Sequence, residues 1–284
     1  MAPPDAGAGG AGAVRPGHGA LVIGWVERLP TAWLLLVVFA GTFLLTFVIY
    51  HVVMRAAAGP SGPALKAISP GLLPPMALVF GLIVGFLVAG LWGDLNNARD
   101  AVNREASALR SASLVAAASF PGRTSMRMDA LIDRQIKDAA TKEWPAMRDQ
   151  QATLTVVPAP LGQALRLALR INPANQSQVT AQRELVSSLE NALDARRQRI
   201  IISEGTINWV KWLAVVALGA LTLIAVACVH ADNRRTAAIA MAIFGSAVAV
   251  TLLLIASQAL PFSGEFGVKP DALLEVAPSA RAPG

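Results

Sequence analysis

Charged side chains are scarce in this chain and are absent from four long stretches of it. Lys, Arg, Asp and Glu make up 15% of the 284 residues, against about a quarter in typical soluble domains. None of these residues occurs in positions 31–54, 71–92, 212–229 or 236–257. Helices of that length can cross about 30 Å of hydrocarbon. The shortage of charge therefore excludes an ordinary soluble fold and predicts an all-α membrane protein with four transmembrane helices, whose first partner is the lipid bilayer.

Cysteine and histidine are also rare, which excludes several kinds of site. Cys228 is the single cysteine, so the chain has neither an intrachain disulfide nor a thiolate metal cluster. The three histidines have no second ligand at helical spacing, and no nucleotide-binding or nucleophile motif is present. Basic residues alternate with acidic ones, which argues against nucleic-acid binding. We expect neither an enzyme nor a bound cofactor or metal.

Asp, Glu, Lys and Arg are missing from the interiors of the predicted spans. Ion-coupled transporters usually carry Asp, Glu, Lys or Arg within the membrane. Coupled transport is therefore a poor explanation of this sequence, and a passive pathway or a structural role fits better.

The apolar stretches divide the chain into five segments. Residues 1–19 are Ala, Gly and Pro with almost no bulky side chain, which predicts a disordered tail. Residues 20–92 hold spans one and two, residues 93–206 form an inserted helical domain, and residues 207–257 hold spans three and four. Residues 258–284 are a C-terminal tail.

The inserted domain shows helical periodicity. The second span continues without Gly or Pro into residues 94–110, which predicts one long helix leaving the bilayer. An apolar stripe on it needs a partner surface: Leu95, Ala98, Val102, Ala106 and Leu109. Pro121 and Gly122 should end this helix. Further helices are predicted at 125–142, ended by Trp144 and Pro145, at 161–171 and at 176–203, with a short strand at 153–157. The first and last helices suit an antiparallel stalk.

The distribution of Lys and Arg near the span ends predicts the orientation, because cytoplasmic flanks are enriched in them. With the N-terminus inside, ten lie on the inner flanks: Arg15, Arg28, Arg99, Arg104, Arg110, Arg196, Arg197, Arg199, Lys211 and Lys269. Four lie in the outer links: Arg55, Lys66, Arg234 and Arg235. We therefore expect a cytoplasmic inserted domain and cytoplasmic termini in a bacterial inner (plasma) membrane.

One stripe of the second span is small within the bilayer and polar below it. At about 100° per residue its members lie within roughly 60° of one another: Gly81, Gly85, Trp92, Asn96, Arg99 and Asn103. Such a stripe suits the wall of an axial pathway, with Trp92 as its constriction. Phe86 takes that place if the helix is rotated by about a third of a turn. The alternative is close helix packing through Gly81, Gly85, Ala89 and Gly93, which recur every four residues.

A basic cluster precedes the third span. Arg196, Arg197 and Arg199 fall within four residues. Such a cluster either anchors the domain to anionic lipid or forms an ion-attracting ring at a pore mouth.

Several short motifs resemble the bacterial bestrophin-like domain family. They include Trp92-Gly93-Asp94, Asn103-Arg104-Glu105-Ala106, Glu143-Trp144-Pro145, the arginines at 196, 197, 199, 234 and 235, and Pro261-Phe262-Ser263-Gly264. The resemblance covers roughly residues 70–275. Its name implies distant kinship to bestrophins, which are pentameric ion channels whose second membrane helix lines the pore and continues into a cytoplasmic helical domain.

Two functional hypotheses follow. The first is a homo-oligomeric ion channel that passes inorganic ions. The second is a non-conducting membrane scaffold or sensor whose helical domain binds a partner.

Overall fold

The computed structural model describes residues 31–60, 62–154, 157–205, 209–263 and 267–281, and the regular secondary structure of this part of the chain is all helical. The N-terminal tail predicted at 1–19 lies outside the described residues. The α-helices in chain order are α1 Thr31–Ala57, α2 Gly62–Lys66, α3 Leu73–Ser119, α4 Arg123–Asp138, α5 Trp144–Arg148, α6 Ala159–Leu169, α7 Gln176–Glu204, α8 Trp209–Val229, α9 Arg234–Ser257 and α10 Asp271–Glu275. A 3-10 turn, Pro70–Leu72, precedes α3, and another, Pro278–Arg281, follows α10.

Four of the described helices are long and apolar enough to cross a membrane: α1, the first half of α3, α8 and α9. They differ in how far the protomer covers them. The most apolar window of α8 is 44% buried, whereas that of α3 is 6% buried. The second span thus lies at the margin of the bundle.

Helices α1 and α9 approach each other closely at Gly245. A Cβ atom added there would lie 2.8 Å from Oγ1 of Thr46, well inside van der Waals contact. The Thr46 hydroxyl is buried and donates to the Thr42 carbonyl at 2.8 Å. The absence of a side chain at residue 245 is therefore what allows this pair of helices to pack.

The long helix predicted from the second span is confirmed. Helix α3 runs for 47 residues and joins the membrane half to the inserted domain without a break. Past Gly93 it contains neither Gly nor Pro, and its amides stay in the helical ladder. It ends before Pro121, where Gly122 takes a φ of 90° that glycine adopts readily.

The inserted domain is built on α3 and α7, which lie antiparallel. Glu105 of α3 meets Arg199 of α7, and at the far end Gln178 Nε2 donates to the Ser119 carbonyl at 3.2 Å. The predicted stripe on α3 is buried here, with Ala98 and Leu109 fully covered. Helices α4 and α6 close the core with a further set of buried side chains: Met128, Ile132, Ile136, Leu161 and Ala164.

Two boundaries differ from the prediction. Trp144 and Pro145 do not end the second domain helix, because residues Ala139–Glu143 widen into a π-turn and α5 follows directly. The Trp144 amide donates to the Ala139 carbonyl, and Pro145 falls in the first turn of α5, where no amide donor is needed. The predicted strand is absent from residues 153, 154 and 157; Thr155 and Val156 lie outside the described residues.

The C-terminal tail of the prediction is a packed part of the domain. Phe262, Leu273 and Ala277 belong to the same buried core as α3 and α4. Farther on, Asp133 of α4 accepts hydrogen bonds from the backbone amide and the hydroxyl of Ser279. Residues 258–263 and 267–281, here called the C-terminal strap, therefore return from α9 to cover the inserted domain.

Candidate ion pathway and the buried charge network

The stripe on α3 is exposed on the isolated protomer along its whole length. Gly81, Gly85, Asn96, Arg99 and Asn103 are all solvent-exposed, and Trp92 exposes 53% of its surface. A Cβ atom added at Gly81 or Gly85 would meet nothing within 4 Å. The small residues of this stripe are therefore not used for helix packing within the protomer, and the face is free to border a pathway or another subunit.

Phe86 lies on a different face of α3. It is 71% exposed and stands about 140° around the helix from Gly81, at about 100° per residue. There it lines an apolar groove between α3 and α8. One rotation of α3 cannot direct both Trp92 and Phe86 at the same axis, so the two aromatic candidates are alternatives.

Below the membrane part, the stripe borders a polar surface groove between α3 and α7. The groove has a volume of about 740 Å³. From α3 it is lined by Asn103, Asp100 and Arg104, and from α7 by Asn191 and Asp194. The polar end of the stripe thus continues into a surface with charges of both signs.

A buried charge network holds three elements of the domain together. The Arg199 guanidinium donates through Nε and Nη2 to both carboxylate oxygens of Glu105, at 2.8 and 3.2 Å. Its Nη2 also donates to Glu143 at 2.8 Å, and Arg196 Nε donates to the other oxygen of Glu143 at 2.8 Å. Glu105 and Arg199 have 0% exposed side chains. The network therefore joins α3, the π-turn and α7 within the core.

Burial and charge act against each other in this network. Burial raises the pKa of Glu105, and the neighbouring Arg199 lowers it by less, so the pKa stays above the ordinary value. For Arg199, burial lowers the pKa, but Glu105 and Glu143 together raise it above its usual value. The guanidinium therefore stays charged, as buried pairs of this type require.

Aromatic contacts extend the network to the C-terminal strap. The Arg199 guanidinium lies 4.6 Å from the centre of the Trp144 ring, a cation–π contact. Trp144 Nε1 donates to the Val268 carbonyl at 3.0 Å, and its ring meets Phe262 edge-on at 5.8 Å between centroids. One arginine thus links α3, the π-turn, α5 and, through Trp144, the strap.

This placement corrects the prediction for the basic cluster. Arg199 is fully buried and Arg196 is 9% exposed, and both are paired with carboxylates inside the domain. Neither guanidinium is available to lipid or to a pore mouth. Arg197 lies on the exposed face of α7 and is the one member of the cluster that can still meet either.

Comparison with known proteins gives the chain its family. A family model described as the bestrophin-like domain matches residues 36–273. The chain belongs to the bestrophin-like family. No curated protein sequence matches it, so the assignment is carried by the domain and by its fold.

Solved structures share the bestrophin-like fold at low sequence identity. A mutant of a bacterial bestrophin homologue from Klebsiella pneumoniae superposes with a TM-score of 0.64 at 10% identity, covering 84% of this chain and 96% of that one. A crystal structure of a membrane protein variant gives a TM-score of 0.65 at 8% identity, covering 84% of this chain and 98% of that one. At such identities the likeness concerns the fold alone.

The motifs that suggested the bestrophin-like family converge on the buried charge network. Glu105, Glu143, Trp144, Arg199 and Phe262 come from four separate motif segments and lie within one connected set of contacts. Sequence reasoning missed this use of them. A signal was present, because Arg196 and Arg199 are three residues apart and share a helix face, while two of the other motif segments each supply a glutamate.

Proposed function

We propose that this chain assembles as a homo-oligomeric ion channel whose pathway is lined by α3. In the proposed arrangement α1, the first half of α3, α8 and α9 span the inner membrane, and residues 93–206 lie in the cytoplasm. Membership of the bestrophin-like family, whose bacterial homologues are ion channels, supports this function. The observation that carries it is the uncovered stripe on α3, small in its upper half and polar in its lower half.

The proposed constriction is a ring of Trp92 side chains. Trp92 is the largest member of the stripe and lies where the apolar part of α3 gives way to Asp94, Asn96 and Arg99. A ring of large apolar side chains can stop conduction by excluding water, and smaller side chains at the same place relieve that barrier. The glycines above it leave the pathway wide, since they add no side chain.

Ion flux through liposomes containing the purified protein tests the proposal. Trp92→Ala should raise the flux, and Gly85→Leu should lower it, because the first widens the pathway and the second narrows it. Phe86→Ala is the matched control, since it removes an exposed aromatic ring from another face of the same helix and should leave the flux unchanged.

Two results would count against this arrangement. If Phe86→Ala raises the flux and Trp92→Ala does not, α3 is rotated about its axis relative to the proposed arrangement and the stripe does not line the pathway. If folded wild-type protein and Trp92→Ala both leave liposomes ion-tight over a range of voltage, pH and divalent-ion concentration, the channel hypothesis is wrong. The hypothesis of a non-conducting scaffold or sensor then replaces it.

Cysteine labelling tests the proposed orientation separately. Met126 is 63% exposed on the inserted domain, and Arg235 is exposed in the first turn of α9, next to the short link from α8. In a Cys228→Ser background, an impermeant thiol reagent added to spheroplasts should label Arg235→Cys and leave Met126→Cys unlabelled. The opposite pattern would reverse the orientation without affecting the test of conduction.

A further inference from the structure

The groove between α3 and α8 lies away from the proposed pathway. Its volume is about 530 Å³, within the range of about 300–1,000 Å³ typical of small-molecule sites. Along α3 its wall is formed by Ile83, Leu87 and Gly90, and these residues stand roughly opposite Gly81 and Gly85 on the helix, at about 100° per residue. When the stripe faces an axis, the groove therefore faces outward to the bilayer.

The groove is apolar along its length and polar at one end. The opposite wall is formed by Ala214 and Val215 of α8. Asp94, Lys211 and Gln258 line the end next to the inserted domain, at the level where the apolar part of α3 stops. An apolar groove that ends in polar groups at the membrane surface matches the shape of a phospholipid, whose acyl chains lie within the membrane and whose headgroup lies at its surface.

The polar end offers one cation, one anion and one unused acceptor. Lys211 and Asp94 are both exposed, and neither makes an ion pair with another residue in the described part of the chain. Gln258 Oε1 is buried and has no hydrogen-bond donor among the described residues. A buried acceptor without a donor costs free energy until something supplies one.

We propose that this groove binds a zwitterionic phospholipid with a primary ammonium headgroup, of the phosphatidylethanolamine type. Lys211 pairs with the phosphate, and the ammonium donates to the Asp94 carboxylate and to Gln258 Oε1. One acyl chain lies along Leu87, Gly90 and Val215. The ammonium is essential, because a choline headgroup has no N–H to donate and an anionic headgroup without an amine leaves Asp94 unpaired.

This inference rests on the membrane insertion proposed above and not on conduction, so lipid retention is the readout. Purified protein is offered equal amounts of phosphatidylethanolamine, phosphatidylcholine and phosphatidylglycerol with identical acyl chains, and retained lipid is counted by native mass spectrometry. We expect wild-type protein to retain phosphatidylethanolamine at least about tenfold over phosphatidylcholine, the factor that one charge-assisted hydrogen bond alone supplies. Asp94→Asn should remove most of that preference, and Gln258→Leu should remove a smaller part of it.

Two further substitutions separate the headgroup from the acyl chain. Lys211→Gln should weaken retention of all three lipids, since each carries a phosphate. Gly90→Leu should also weaken all three by filling the groove, and a Cβ atom added there meets nothing within 4 Å. Gly41→Leu is the matched control on α1, where an added Cβ atom also meets nothing within 4 Å, and this variant should retain lipid as the wild type does.

Several outcomes would overturn the proposal. Equal retention of the three lipids, or a preference for phosphatidylglycerol, would mean that the ammonium is not recognised. Equal retention by Gly90→Leu and Gly41→Leu would mean that lipid binds elsewhere. Disulfide crosslinking of Ala214→Cys to a second copy, in a Cys228→Ser background, would mean that the groove is a subunit interface. Ion flux that persists in any of these cases would leave the channel proposal standing.

Discussion

The two halves of α3 belong to one unbroken helix but differ sharply in how their surfaces are covered. In the membrane half the most apolar window is 6% buried. In the domain half Ala98, Leu109, Ala112 and Ala116 are fully covered by other helices of the same protomer. The domain half is covered by other helices of the same protomer, whereas the membrane half leaves most of its surface uncovered. Substitutions in the buried core of the domain should therefore cost more stability than substitutions among the membrane helices.

The largest effect is expected in the buried charge network. Arg199→Met leaves Glu105 with no basic partner in a fully buried site and leaves Glu143 with Arg196 alone, which should destabilise the protein by about 3–5 kcal/mol. Thermal unfolding of the purified protein in detergent measures the loss. Arg197→Met on the exposed face of α7 is the control, with an expected change within about 0.5 kcal/mol. The double substitution Arg199→Met with Glu105→Met should recover part of the stability; no recovery would mean that the charges are not the cause.

A similar test addresses the apolar stripe of the domain half. Val102 is 2% exposed, and Val102→Asp buries a carboxylate without a partner, at a cost of about 3 kcal/mol. Asn103→Asp introduces the same group at the neighbouring exposed position and should change the unfolding midpoint little. Equal midpoints for the two variants would contradict the burial of this face.

Among the membrane helices the expected effect is smaller and depends on the close packing of α1 against α9. Gly245→Ala places a Cβ against Thr46 of α1 and should cost about 1–3 kcal/mol, whereas Gly41→Ala, which meets nothing within 4 Å, should cost little. Adding Thr46→Ala to Gly245→Ala removes the clashing hydroxyl and should restore the midpoint. Failure of that rescue would show that α1 and α9 do not meet at this point.

The smallest effect concerns the end of the C-terminal strap. Burial raises the pKa of Asp133, but the hydrogen bonds from Lys137 and Ser279 and the charge of Lys137 lower it below its ordinary value of 3.8. The stabilisation is present in full above that ordinary value and is lost as pH falls through the lowered folded-state pKa. Hydrogen exchange at the amides of Ser279 and Ala280, corrected for its intrinsic pH dependence, should therefore show the same protection at about pH 7 and about pH 5. Asp133→Asn should weaken that protection at both pH values; unaltered protection would mean that Asp133 does not hold the strap.

Much of the helical plan could be predicted from the sequence, because long uncharged runs and helical periodicity are local properties. The boundaries of α7 and the break at Pro121 followed from such patterns. The π-turn at Ala139–Glu143 could not, since Pro145 alone signals the end of a helix and the wider turn depends on tertiary contacts. The strap was missed for the same reason: Phe262 and Leu273 find their partners more than a hundred residues away.

The candidate site could also be predicted from the sequence only in part. The exposed stripe from Gly81 to Asn103 could be derived from periodicity, because its members share a face of one helix. The fate of Arg196 and Arg199 could not, because a basic cluster beside a span has the same composition whether it meets lipid or buried glutamates. Only the positions of Glu105 and Glu143 in space decide between these, and they lie 94 and 56 residues from Arg199 along the chain.

The continuity of α3 fixes the rotational angle between its membrane half and its domain half. Each residue turns the helix by about 100° and advances it by about 1.5 Å. A single insertion between Trp92 and Ala98 would swing the buried face of the domain half by more than a quarter of a circle relative to the stripe above it. An insertion of seven residues would restore this rotational angle to within about 20° while adding about 10 Å of length. Insertions or deletions at this junction therefore keep both faces of α3 in place only when they add or remove about seven residues, which is close to two full turns. The number of residues between the two halves sets the angle between their faces.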